Sequence, residues 1–94
     1  MLERKNTIVC SFDPSGPRIT AFDVHEWLFL DLKVQYNSVI MVQIDGARRQ
    51  MYIKFTDMQY VIEVLTRTNG AVDYRHTTGE ISRVTIELVL DVYD

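Results

Sequence analysis

The run Arg48-Arg49-Gln50-Met51-Tyr52-Ile53-Lys54-Phe55 carries the clearest chemical pattern in the chain. Strand alternation sends Met51, Ile53 and Phe55 to one face and Gln50, Tyr52 and Lys54 to the other. The second set joins an aromatic ring to a cation, with two arginines just upstream. A ring on an open sheet face can stack on a nucleobase, worth about 1–3 kcal/mol per base. Ammonium and guanidinium groups bind phosphate. Tyr52 is therefore the candidate stacking residue, and Arg48, Arg49 and Lys54 are candidate phosphate contacts. Gln50 is a further candidate on the same face. The plainer reading makes Tyr52 an ordinary cross-strand aromatic between charged neighbours.

Other chemistry is poorly represented. His25 and His76 fall in different elements, and His25-Glu26 lacks the second histidine of a metal-binding helix. Cys10 is the one cysteine, which excludes a disulfide framework and a zinc knuckle within the chain. It lies in an apolar strand pattern, so a buried, inert thiol is expected. Asp13, Asp45, Asp57 and Asp73 stand at element ends, where carboxylates cap helices and make turns. There is no glycine-rich phosphate loop and no nucleophile elbow. Neither catalysis nor a cofactor or metal is expected.

The elements that must position these residues can be read in order. Thr7 to Phe12 is a β-branched first strand, stopped by Asp13-Pro14-Ser15-Gly16-Pro17. A first helix is expected from about Ala21 to Leu32. Thr20 and Asp23 form its capping box, and Ile19 and Val24 its staple. Ala21, Val24, Leu28 and Leu32 form its core stripe. Phe22, Trp27, Phe29 and Leu30 lie off that stripe, so the helix is either deeply embedded or carries a second apolar face for a partner. Val39 to Ile44 and Gln50 to Phe55 read as a hairpin around Asp45-Gly46. A second helix is expected to start at a Thr56/Gln59 capping box with Phe55 and Tyr60 as staple. Its stripe is Met58, Val61, Ile62 and Leu65, and Asn69-Gly70 is its left-handed stop. Ala71 to His76 is a short edge strand. Ile81 to Tyr93 is the last, with Val84, Ile86 and Leu88 facing opposite to Arg83, Thr85 and Glu87.

The 94 residues suit one domain. With 47% hydrophobic and 24% charged residues, the composition is that of a folded globular domain. The longest apolar runs are far too short for a bilayer span, and Met1 to Asn6 lacks the apolar stretch of a signal peptide. An intracellular location, cytoplasmic or nuclear, is expected. The net charge of −3 lacks the basic surplus of a stand-alone nucleic-acid binder. RNA binding would therefore be weak or shared with neighbouring domains.

The order β-α-β-β-α-β predicts an α+β fold of the RRM-like (ferredoxin-like) type. A four-stranded antiparallel sheet would carry both helices on one face, with a small extra hairpin before the last strand. The RRM strand-3 consensus laid on Arg48 to Phe55 keeps the opening basic residue, the central aromatic Tyr52 and the closing Phe55. Its first stacking position is Gln50, and the strand-1 position falls near Val9.

Several stretches together resemble the gag-like (first open reading frame) proteins of insect non-LTR retrotransposons and related CCHC zinc-knuckle proteins. They are Lys5 to Asp13, Asp23-Val24-His25-Glu26-Trp27, Gln43-Ile44-Asp45-Gly46, Arg49 to Phe55 and Tyr74 to Ile81. The resemblance covers nearly the whole chain. It implies an N-terminal RRM-like module of a longer protein that binds element RNA and assembles into ribonucleoprotein particles. The knuckles of that family are absent here, so its basic, nucleic-acid-gripping parts would lie elsewhere. Two roles follow as expectations. One is an RNA-binding module working through Tyr52, Arg48, Arg49, Gln50 and Lys54. The other is a protein-interaction or self-association module working through Phe22, Trp27, Phe29 and Leu30.

Overall fold

The structure, a computed structural model, describes residues 5–13, 26–76 and 78–89. The expected capping box, the Ile19–Val24 staple, Phe22 and His25 lie outside the described residues, as does the strand end from Leu90 to Tyr93. Five strands are described: β1 (Thr7–Phe12), β2 (Val39–Asp45), β3 (Gln50–Phe55), β4 (Ala71–Arg75) and β5 (Ile81–Leu88). One main helix, α1 (Met58–Thr68), stands between β3 and β4. The strands form one antiparallel sheet in the order β2-β3-β1-β5-β4. This corrects the expected four-stranded sheet. The segment assigned to a small extra hairpin pairs along β5 and becomes a fifth strand at the sheet edge.

Alternation explains the two faces. Ile8, Cys10 and Phe12 of β1, Met51, Ile53 and Phe55 of β3, and Val84 and Ile86 of β5 are all buried in one core. Each large apolar side chain fully buried there contributes about 1.5–3 kcal/mol. Val61 and Val64 of α1 and Trp27, Leu28 and Leu32 of the earlier helical turn join the same cluster. The described helical elements therefore cover one face of the sheet. Cys10 has no exposed surface, and burial pushes its thiol up to about 12.

Of the segment expected to form the first helix, only residues from 26 onward are described, and Trp27–Asp31 form a wide turn. The Leu32 N–H donates to the Trp27 carbonyl at 2.8 Å, and left-handed Lys33 ends the turn. Five residues span this turn, so Trp27 sits beneath Leu32 and on the same side as Leu28. A uniform 100° per residue would have set Trp27 on the flank. Arg67 of α1 donates to the Leu32 and Lys33 carbonyls, capping this end with a cation.

α1 differs from expectation at its start and along its face. Asp57 is the N-cap, accepting from the Gln59 N–H at 3.0 Å, in place of Thr56. The Thr56 N–H is committed to the Ser38 carbonyl at 2.8 Å. The buried residues are Val61 and Val64, flanked by half-buried Tyr60 and Leu65, whereas Ile62 is 56% exposed and Met58 is at the surface. The left-handed stop at Asn69, φ 55°, followed by Gly70 at φ 81°, stands as read.

Candidate nucleic-acid interface

The face of the sheet that the described helical residues leave uncovered, the open face, is centred on β1 and β3, with Thr7 buried at one end of it. The register sets Tyr52 opposite Val9 on one side and opposite Gln43 of β2 on the other. Gln50 lies opposite Ser11, and Lys54 opposite Thr7. Glu87 and Thr85 of β5 continue these rows beyond Val9 and Ser11. Tyr52 is therefore mid-sheet, half-buried, with an apolar neighbour on one flank and an amide on the other.

Polar contacts tie the group together. The Tyr52 hydroxyl donates to Gln50 Oε1 at 3.3 Å, and Gln50 Nε2 donates to Ser11 Oγ at 3.4 Å. Both are long, so neither holds its partner tightly. Gln43 is exposed beside the ring. The charges on this face balance, with Lys54, Arg75 and Arg83 set against Asp45, Asp73 and Glu87.

The two arginines of the pattern do not converge on Tyr52. Arg48 lies in the β2–β3 turn and is strongly exposed. Its backbone N–H donates to Asp45 Oδ1 at 3.2 Å, and its Nε stands 3.9 Å from Asp45 Oδ2. Such an exposed pair is worth little. Arg49 is left-handed at φ 51° and turns back to β1, where its Nε donates to the Asp13 carbonyl at 2.7 Å. It joins the hairpin turn to the end of β1. Of the expected nucleic-acid contacts, Tyr52, Gln50 and Lys54 share the open face, while Arg48 and Arg49 lie at one end of it. Val9, Ser11 and Gln43 complete the surface around the ring. Period-two alternation marks them, but only the strand register shows which of them flank Tyr52.

The partner-facing set from the first helix is divided. Trp27 is only 2% exposed and belongs to the core, not to a surface. It packs with Phe12 at 5.9 Å and Tyr74 at 5.7 Å between ring centroids, and its indole N–H donates to the Asp73 carbonyl at 3.4 Å. Phe29 is half-buried, against Tyr36 at 5.4 Å. Leu30 is 68% exposed. Phe22 lies outside the described residues.

His76 is buried at the edge of the aromatic cluster, 4.8 Å from Tyr74, with its Nε2 2.7 Å from Ser82 Oγ. That partner is a neutral hydroxyl. Among the described residues, no three His, Cys, Asp or Glu side chains gather into a metal site. No described helix is long and apolar enough to cross a membrane.

No family model matches the chain, and no curated protein matches it.

Proposed function

We propose that this chain is an RRM-like module that contributes to RNA binding and ribonucleoprotein assembly, of the kind found in gag-like proteins of non-LTR retrotransposons. The observation that carries the reading is Tyr52 at the centre of an open sheet face, between Val9 and Gln43 and next to Lys54. In the RRM-like arrangement the two middle strands present bases with a stacking surface while the helices stay behind the sheet. Here β1 and β3 are the middle pair of β2-β3-β1-β5, and the described helical residues join the core on the opposite face. β4 is an addition at the far edge and leaves that central pair untouched.

Chemically, this surface suits single-stranded RNA bound weakly. One ring supplies one stacked base, Lys54 supplies one phosphate contact, and Arg48 extends the cationic reach past the hairpin turn. A balanced face gives little non-specific attraction, so affinity depends on stacking and falls only modestly with salt. Titration of short single-stranded RNA at several salt concentrations, for wild type and Tyr52→Ala, tests this. Binding that weakens about tenfold in the variant supports the reading. Equal, negligible binding by both at low salt rejects it.

A further inference from the structure

The sheet has two edges, and they are built differently. β4 is five residues long and presents exposed Asp73 and Arg75. Charges and short length are what keep an edge from recruiting another strand. β2 is seven residues long, and Val39-Ile40-Met41-Val42-Gln43-Ile44 contains no charge and no proline. Among the described residues, no strand pairs with its outer side. An edge of this kind offers a row of backbone N–H and C=O groups that only another extended strand can match. The bulge at Ile40 falls among the first residues of β2 and leaves Met41 to Asp45 in regular register with β3.

We infer that β2 is a self-association edge that pairs antiparallel with β2 of a second copy of this chain. The sequence of the edge favours a second copy over a foreign strand. Two-fold pairing about Gln43, the middle of the regular stretch, sets Met41 of one copy across from Asp45 of the other and Val42 across from Ile44, so no like charges meet. The same pairing brings the turn carrying Tyr36 beside the partner's turn that carries Arg48. Tyr36 is 77% exposed, and the Arg48 side chain is 76% exposed. A guanidinium and an exposed ring are complementary across such a contact. Ile40, 60% exposed, gains cover at the same place.

The consequence reaches the open face. A two-fold axis normal to the sheet keeps both open faces on the same side and joins two five-stranded sheets into one. The two Tyr52 rings then stand three strand spacings apart, about 14 Å. A single RNA strand can engage both, so the paired chain binds bivalently where one copy binds weakly.

Light scattering or sedimentation of the whole chain over a wide concentration range tests the inference without reference to RNA. The expected result is a mass that rises with concentration toward twice that of one chain. Ile40→Lys raises the concentration for half-dimerisation about tenfold or more. Ile62→Lys, an equally exposed apolar position on α1, leaves it unchanged. Amide hydrogen exchange on wild-type chain supplies a readout independent of any variant's folding, with protection of β2 amides rising as concentration rises. A mass of one chain at every concentration overturns the inference. So does a dimer that Ile40→Lys leaves intact. A monomeric chain whose β2 amides become protected only by an added synthetic peptide of alternating valine and threonine would assign the edge to a foreign strand and overturn self-pairing.

Discussion

Consecutive side chains of β3 meet two different surroundings. Met51, Ile53 and Phe55 are each at most 1% exposed. Gln50, Tyr52 and Lys54 lie between them in sequence and stay half-exposed on the other face. The first set is dictated by the fold, since each residue fills space between sheet and helices. The second is not, since an open sheet face needs only side chains that tolerate water. A ring, an amide and an ammonium side by side on β3 are therefore the residues on which the proposed binding rests. The same contrast divides the turn Trp27–Asp31, where Trp27 is core and Leu30, three residues on, is at the surface.

Substitutions can sharpen this division, beginning with the core. Trp27→Ala should destabilise the fold by about 3–5 kcal/mol in urea unfolding, because it empties the site between Phe12 and Tyr74. Leu30→Ala should stay within about 0.5 kcal/mol of wild type. Equal losses at the two positions would break the distinction between them.

A second test uses pH at the buried thiol. Burial lifts Cys10 from 9.0 to about 12, so the folded chain keeps a proton that the unfolded chain loses. The unfolded state then binds fewer protons, and stability falls as pH rises from about 9 toward 12, by at most about 1.4 kcal/mol per pH unit. Unfolding curves across this range should lose that part of their slope in Cys10→Ala. The thiol should also resist alkylation in the native state and react fully in denaturant.

Arg67 tests the joint between the helical elements. Arg67→Ala should cost about 1 kcal/mol in the same unfolding assay, since its guanidinium caps the Leu32 and Lys33 carbonyls from a partly exposed position. Arg67→Lys should recover part of the loss, as one cation without the guanidinium fork.

Much of this division was legible in the sequence, and the exceptions have physical causes. β1 and β3 followed from β-branched content and alternation, and the stop after α1 followed from Asn69-Gly70. Cys10 was legible as a buried thiol for the same reason. The sequence left Trp27 open between core and partner surface, because its placement depends on a wide turn that brings residues five apart into line. The stripe of α1 admitted two phases sharing Val61 and Leu65. Contact with the sheet selected Val64 and left Ile62 in solvent, a tertiary choice that periodicity does not make. The fifth strand was readable as a strand, but its place along β5 depends on pairing between distant segments. At the candidate interface, alternation put Gln50, Tyr52 and Lys54 on one face. It did not reveal that Arg49 bends back to the Asp13 carbonyl or that Gln43 and Val9 flank the ring.

The central claim is that the open face of β3 serves binding and not folding. The most direct measurement pairs unfolding with RNA titration for one variant, Tyr52→Ala. The account predicts a stability change below about 1 kcal/mol and a loss of affinity for short single-stranded RNA of about tenfold. A variant that binds RNA as wild type does, or that loses stability on the scale of Trp27→Ala, would contradict it.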